Sequence, residues 1–298
     1  MKMKKVMGIF LSFALIVGVL PVNISSAKTV IYPTEATGEQ IKETNNCAID
    51  YSNMQDGYVM AKFKNKLGPT LKCVVTTGKQ KLNDGYKYTL KVNKYQAIPL
   101  TEGNNTYHLY MMYEVKGRYA VEMTLSISVT LADQFGPYLR PNQFVNYNKN
   151  TKVVKKAASL TKNCKNDLAK VKKVYNYVIK NFKYDKKKAK TVQGGYTPNL
   201  NTVYKKKKGI CFDYAAVMTA MLRSQGVPTK LIVGYTGNAY HAWINVYSKK
   251  KGKISKMIYF NGKKWKLMDP TFASTSKSSK TIMKYIGNGR NYKAKYSY

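Results

Sequence analysis

The chain has 298 residues, of which 52 are Lys or Arg and 14 are Asp or Glu, so its formal net charge is +38 at pH 7. Its four cysteines form no CxxC pair, which argues against both a disulfide scaffold and a structural zinc site. The lysine runs at 186–188, 205–208 and 249–251 lack interleaved arginine, which disfavours a nucleic-acid-binding function. Diffuse lysine favours attraction to anionic polymers, although such runs are equally typical of a solvated surface.

The first residues are typical of an export signal. Three lysines precede an apolar run over residues 6–22, and small residues end the segment at Ala27. A membrane anchor is the alternative, but the run is short for a span of roughly 20 residues. We therefore predict a signal peptide at 1–27 and a mature chain without a transmembrane span. A secreted or cell-envelope location follows, and anionic cell-wall polymers are then the natural partner of the lysines.

Residues 28–46 are polar and unpatterned, which predicts a linker. Further on, stretches rich in β-branched and aromatic residues alternate with turn signals. These stretches begin at Tyr58, Leu71, Tyr86, Tyr107 and Tyr119. Their spacing predicts an antiparallel β-sandwich over residues 47–148. No chemistry is indicated in it: His108 is expected to be structural, and the sequence leaves open whether Cys47 and Cys73 pair.

The pattern changes near residue 149. Apolar residues recur every three or four positions from Leu168 to Phe182, which predicts an amphipathic helix. A second helix is predicted over residues 212–225, because Gly226 can cap it and Pro228 follows.

Strands are then predicted at 230–235 and 239–247. Next comes a hairpin of residues 257–260 and 264–269, joined at Asn261-Gly262. We place one α+β domain over residues 149–275. Residues 276–298 are rich in Ser, Lys and Tyr and are predicted to be a peripheral or partly disordered extension.

Three residues of this domain are candidates for nucleophilic catalysis. Cys211 comes just before the second helix, whose free N–H groups and dipole stabilise a thiolate. His241 lies on a predicted strand and shares a face with Trp243. Asp269 ends the next strand, where its carboxylate could accept a hydrogen bond from His241 Nδ1–H. Each residue alone has an ordinary structural explanation, and only their combination indicates a thiolate–imidazolium site.

The surrounding sequences resemble three blocks of the transglutaminase-like superfamily. They are residues 209–215 (GICFDYA), 239–246 (AYHAWINV) and 265–271 (WKLMDPT). The resemblance covers about residues 165–272 and keeps the order Cys, His, Asp. It implies an α+β fold in which the N-terminal antiparallel β-sandwich is followed by a papain-like or transglutaminase-like domain.

The resemblance also implies roles. Cys211 is expected to be the nucleophile, His241 the general base and acid, and Asp269 the orienting carboxylate. The Cys211 N–H is expected to form part of the oxyanion hole. Animal relatives add an upstream tryptophan, which this chain lacks, so Tyr175, Gln193 and Tyr196 are the candidates for a second donor.

The expected reaction is acyl transfer from a peptide or glutamine amide in a protein or peptide substrate, through a thioester. Hydrolysis is favoured slightly over cross-linking. No cofactor or required metal is expected, since the chain is poor in acidic residues. The alternative is a non-catalytic, lysine-rich protein that binds the cell envelope through an enzyme-like domain.

Overall fold

The protein is described from a computed structural model that covers residues 29–255, 258–275, 280, 284–286 and 289–298. The predicted signal peptide at 1–27 lies outside the described residues. Helices and antiparallel sheets are both present, which confirms the predicted α+β class. Within the described ranges, no helix has the length and apolar character needed to cross a bilayer.

The N-terminal half is built from strands that form two antiparallel four-stranded sheets. The strands are β1 (Ile41–Glu43), β2 (Cys47–Asp50), β3 (Tyr58–Phe63), β4 (Leu71–Thr77), β5 (Tyr86–Thr89), β6 (Gln96–Pro99), β7 (Asn105–Val115) and β8 (Arg118–Val129). One sheet has the order β1-β2-β3-β6, and the other has the order β5-β4-β7-β8. The strand β1 lies inside the segment 28–46 that the sequence predicts as a linker, because its residues pair with β2.

Alternating burial explains why the two sheets pack as a sandwich. Along β8, four apolar residues at every second position are buried: Met123, Leu125, Ile127 and Val129. The intervening side chains are exposed, as expected for a sheet with one face on a core. Cys47 and Cys73 both lie fully buried in this core as free thiols.

The C-terminal half contains six helices and further strands within the described residues. The elements are α1 (Lys152–Thr161), α2 (Asp167–Asn181), β9 (Lys183–Tyr184), α3 (Lys186–Thr191), α4 (Leu200–Lys206), β10 (Lys208–Gly209), α5 (Cys211–Arg223), β11 (Thr229–Thr236), β12 (Ala239–Val246), β13 (Gly252–Ser255), β14 (Ile258–Phe260), β15 (Lys266–Met268), α6 (Pro270–Thr275) and β16 (Tyr292–Ser297). The helix α5 is buried along almost its whole length. It packs on β11 and β12 of a four-stranded antiparallel sheet with the order β15-β12-β11-β16.

The predicted hairpin around Asn261-Gly262 does not form. Gly262 does adopt a left-handed turn conformation, with φ of 77°. The strands on either side, however, take different partners: β14 pairs with β13, and β15 pairs with β12. The pairing of β15 with β12 has a functional consequence, because it brings Asp269 next to the strand that carries His241.

Residues 276–298 are not simply the peripheral extension predicted from the sequence. The strand β16 joins the sheet as the antiparallel neighbour of β11. Its end is held by the buried guanidinium of Arg223, which donates to the carbonyl oxygens of Tyr298, Thr229 and Arg140. The sandwich touches the same strand, since the rings of Tyr86 and Tyr296 lie 5.3 Å apart. The two halves of the protein therefore meet along β16.

Candidate active site

Cys211 is the first residue of α5, as the sequence predicts to within one residue. The preceding Ile210 has an extended backbone and donates its N–H to the carboxylate of Asp213 at 2.9 Å. Gly209 packs so closely on Asp213 that a Cβ atom would lie 2.5 Å from the Asp213 Cβ. The glycine is therefore required by close packing behind the nucleophile. The Cys211 side chain is partly exposed at the positive end of the helix dipole.

His241 lies on β12 with its ring fixed on both faces. The ring stacks on Phe272 at 4.7 Å and on Trp243 at 6.2 Å between centroids. Its Nε2 atom lies 2.7 Å from Asp269 Oδ2. The sequence-based expectation named Nδ1 for this bond, and that detail was wrong because the strand pairing presents Nε2 to the carboxylate. The Cys211 thiol lies close enough to this ring to raise the pKa of the imidazole.

Asp269 has no solvent exposure and receives four hydrogen bonds. His241 and the Tyr292 hydroxyl bond to Oδ2, the latter at 2.9 Å. The backbone N–H groups of Thr271 and Phe272 donate to Oδ1 at 3.0 and 2.9 Å. The carboxylate thus caps α6 and orients the imidazole at the same time. Tyr292 was missed by the sequence analysis, because nothing local in a Tyr- and Lys-rich tail marks it.

The protonation of His241 follows from these contacts. Burial by itself lowers the pKa of the imidazole, but the hydrogen bonds and charges of Asp269 and Cys211 outweigh it and raise the pKa to about 9. His241 is therefore an imidazolium at neutral pH.

A polar cluster, which we call the Asp213 staple, fixes the start of α5. Asp213 is fully buried, and its Oδ2 atom lies 2.6 Å from Lys188 Nζ. The Tyr196 hydroxyl donates to Asp213 Oδ1 at 2.5 Å. Lys188 also lies over the Tyr196 ring, 4.1 Å from its centroid. These contacts tie the segment between α3 and α4 to the helix that presents Cys211.

A cavity of about 540 Å³ opens beside Cys211 and His241. Its wall comes from five parts of the chain: the segment before α1, the short strand β9, the segment 189–196, the start of α5, and the strands β11, β12 and β16 with Tyr298 after β16. Its volume is in the range typical of small-molecule and peptide side-chain sites. Among the described residues, no group of three or more His, Cys, Asp or Glu side chains is arranged to hold a metal ion.

The three predicted candidates for a second oxyanion donor differ in whether they line the cavity. Gln193 and Tyr196 line the cavity, but the Tyr196 hydroxyl is committed to Asp213, whereas Tyr175 is not among the lining residues. The structure adds Tyr184, which lines the cavity and pairs with Gly209 through the β9–β10 bridge. Burial, and secondarily the charge of the nearby Cys211, raise the pKa of Tyr184, so its hydroxyl stays protonated.

This geometry agrees with a family match in the same region. Residues 154–270 match the model of the transglutaminase-like superfamily. This part of the chain resembles the transglutaminase-like superfamily. The predicted resemblance is thereby confirmed, over nearly the range expected from the three blocks. No curated protein matches the chain in sequence.

Several solved structures are similar in part. A protein from Cytophaga hutchinsonii named "Putative Cysteine Protease" is 16% identical, with 78% of this chain and 68% of that chain covered and a TM-score of 0.37. The periplasmic domain of TgpA from Pseudomonas aeruginosa, bound to ethylmercury, is 14% identical, with 72% and 93% covered and a TM-score of 0.37. Red sea bream transglutaminase is 11% identical, with 74% and 49% covered and a TM-score of 0.33. The resemblance to the superfamily rests on the family match alone.

Proposed function

We propose that the protein is a cysteine acyl-transfer enzyme that acts on amide bonds of peptides or proteins. The observation that carries the proposal is the chain of contacts from Asp269 through His241 to Cys211, at a helix start that faces a cavity. Resemblance to the transglutaminase-like superfamily supports the same chemistry. In this proposal Cys211 is the nucleophile, His241 the general acid and base, and Asp269 the orienting group.

In the proposed acylation step, Cys211 reacts as a thiolate beside a protonated His241. The Cys211 thiolate attacks the amide carbonyl carbon, and the C=O electron pair moves to oxygen. The backbone N–H of Cys211 and the Tyr184 hydroxyl are the proposed donors to that oxyanion. Collapse breaks the C–N bond, the imidazolium proton passes to the leaving nitrogen, and a thioester remains with neutral His241.

Deacylation completes the cycle. His241 removes a proton from water, the oxygen attacks the thioester, and the C–S bond breaks to release a carboxylic acid. Thiolate and imidazolium are then restored. A primary amine in place of water would give a cross-link or a transamidated product. We favour hydrolysis, because Cys211 is partly exposed and Tyr240 beside it is 61% exposed, so water reaches the thioester.

The proposed place of action is outside the cytoplasmic membrane, in or near an anionic cell envelope. The signal-like segment at 1–27 and the net charge of +38 support this location. The lysine coat alone is equally compatible with the non-catalytic alternative, in which the enzyme-like domain only binds. The two functions differ in whether Cys211 reacts as a nucleophile, and that difference can be measured.

Alkylation by iodoacetamide tests the proposal directly. Cys211 is expected to react at pH 6 faster than the other three thiols, because the proposed mechanism has it as a thiolate beside a protonated His241. Burial raises the pKa of Cys47, Cys73 and Cys164, so these cysteines serve as internal controls. Mass spectrometry of tryptic peptides assigns each adduct. Equal and slow labelling of all four thiols, or full peptide hydrolysis by the Cys211→Ala variant, would refute an enzymatic role for Cys211.

A second assay distinguishes the two acyl acceptors. A glutamine-containing peptide and a phenylalanine-containing peptide amide are each incubated with and without a fluorescent primary amine. Release of acid product without amine incorporation is the expected result. Incorporation that exceeds hydrolysis would instead establish a transamidase.

A further inference from the structure

Five aromatic rings line one side of the cavity, and we call them the aromatic wall. Consecutive rings have centroids 4.3 to 6.4 Å apart, within the range of direct ring contact. In spatial order they belong to Tyr196, Phe212, Phe144, Tyr298 and Tyr296. The wall starts at the Asp213 staple, passes the residue next to Cys211 and ends on β16. Four separate parts of the chain thus build one continuous aromatic surface.

The cavity also carries no fixed charge apart from the catalytic pair. None of its described lining residues is Lys, Arg, Asp or Glu, although the chain carries 52 Lys and Arg residues. Two ions behind the lining are internally compensated: Lys188 pairs with Asp213 behind Tyr196, and Asp269 is buried behind His241. Lys295 lies over the Tyr296 ring, 5.4 Å from its centroid, but is not a lining residue. A charged substrate group would therefore lose its hydration in this cavity without meeting a partner.

We propose that this cavity is a specificity pocket for a large uncharged side chain, preferably aromatic, on the acyl side of the attacked amide. The inference rests on the proposed acyl-transfer function and adds the class of substrate. A phenyl or indole ring would bury its faces against the aromatic wall while the adjacent carbonyl reaches Cys211. Sugars are less suited to the cavity, since Gln193 is its only lining residue with a side-chain amide.

Direct binding tests the pocket without requiring turnover. The probes are acetyl-Ala-Ala-X methylamides, with X being Phe, Gly, Lys or Glu, titrated by calorimetry into the Cys211→Ala variant. The Phe peptide is expected to bind about 10- to 100-fold more tightly than the Gly peptide, from burial of one aromatic side chain. The Lys and Glu peptides are expected to bind no better than the Gly peptide. Equal binding of all four, or tighter binding of an N-acetylglucosamine oligosaccharide than of the Phe peptide, would overturn the inference.

A substitution that introduces a negative charge tests where the pocket lies. In the Cys211→Ala background, Tyr296→Asp places a carboxylate on the half-buried end of the aromatic wall. The ratio of Lys-peptide to Phe-peptide affinity is expected to rise by at least about fivefold. The matched control is Tyr235→Asp on the neighbouring strand β11, because Tyr235 is 42% exposed and is not a lining residue. An unchanged ratio in Tyr296→Asp, or an equal change in both variants, would overturn the assignment.

Turnover of the same peptides by the wild-type protein separates this inference from the proposed function. Tighter binding of the Phe peptide together with its faster cleavage supports both. Tighter binding without cleavage supports the pocket and refutes the hydrolase. Cleavage of all four peptides at equal rates, with equal binding, leaves the catalytic proposal in place and refutes the pocket.

Discussion

At the scale of single residues, Asp269 joins structural and chemical roles in one carboxylate. Its Oδ1 atom accepts hydrogen bonds from two backbone N–H groups at the start of α6, and its Oδ2 atom is hydrogen-bonded to His241. Tyr292 adds a fourth donor from a strand that the sequence did not connect to the site. Because the carboxylate is fully buried and fully hydrogen-bonded, loss of its charge cannot be compensated by solvent.

The Asp269→Asn substitution keeps the shape and removes the charge. We expect kcat to fall on the order of 100-fold or more, because the imidazolium loses its stabilising partner. The pKa of His241 should fall from about 9 toward its ordinary 6.5, which moves the alkaline limit of kcat/KM to lower pH. NMR titration of His241 in the wild-type protein and in the variant measures the shift. A His241 pKa that stays near 9 in the variant would contradict this role of Asp269.

The same ion pair contributes to stability in a pH-dependent way. Since folding raises the pKa of His241 from 6.5 to about 9, its contribution is fully present below about pH 6.5 and is lost as the pH rises through about 9. The contribution is about 3 kcal/mol. Urea unfolding of the wild-type protein and of Asp269→Asn at pH 6 and pH 10 measures it. The difference in unfolding free energy between the wild-type protein and Asp269→Asn should be smaller at pH 10 than at pH 6. A larger difference at pH 10 would contradict this pH dependence.

At the scale of elements, the Asp213 staple connects α3, the segment between α3 and α4, and α5. The sequence could predict that a helix begins at Cys211, since its local pattern and Gly226 define both ends. It could not predict that Lys188 and Tyr196 would meet Asp213, because contacts across 25 and 17 residues leave no periodic signal. Similarly, β15 has the local pattern of a hairpin strand, and only its pairing with β12 decides where Asp269 lies.

Several short strands were not predicted from the sequence, for a related physical reason. The long strands β7 and β8 alternate clearly over many residues and were predicted within a few positions. The strands β1, β2 and β6 have only three or four residues each, too few for alternation to be recognised. The strand β16 lies in a Tyr- and Lys-rich segment with an ordinary polar composition. Tertiary pairing, more than local preference, makes these segments strands.

Removing the Asp213 carboxylate tests the staple. Asp213→Asn should lower the free energy of unfolding by about 1–2 kcal/mol, since a helix-start hydrogen bond and an ion pair are weakened. The segment 189–196 should be cut faster by trypsin or chymotrypsin in limited proteolysis. Asp185→Asn is the matched control: Asp185 also caps a helix and pairs with a lysine, but at the surface. A loss of stability as large in Asp185→Asn would show that Asp213 has no special role.

At the scale of the whole molecule, the surface lysines and the proposed reaction site lie in different places. The lysine coat covers the surface, whereas the cavity beside Cys211 is lined by uncharged side chains in the described residues. Screening by salt acts on exposed charges over about 10 Å at 0.1 M and acts much less on buried contacts. Binding to an anionic polymer and turnover of a neutral peptide should therefore respond differently to ionic strength.

Polyphosphate serves as a defined anionic polymer to test that separation. Its binding, measured by fluorescence anisotropy, should weaken by at least about tenfold between 50 and 500 mM NaCl, because exposed lysines are screened. The kcat/KM for the neutral Phe peptide should change less than about twofold over the same range. Equal salt dependence of the two measurements would mean that the lysines act in the catalytic cavity as well.

The position of β16 has a consequence for the order in which the enzyme matures. This strand follows Cys211, His241 and Asp269 in the chain, so a ribosome makes it after all three. It supplies Tyr292 to Asp269 and two rings to the aromatic wall. A nascent chain that already carries the nucleophile, the imidazole and the carboxylate therefore still lacks a completed cavity. Completion of the proposed site therefore depends on the pairing of β16 with β11.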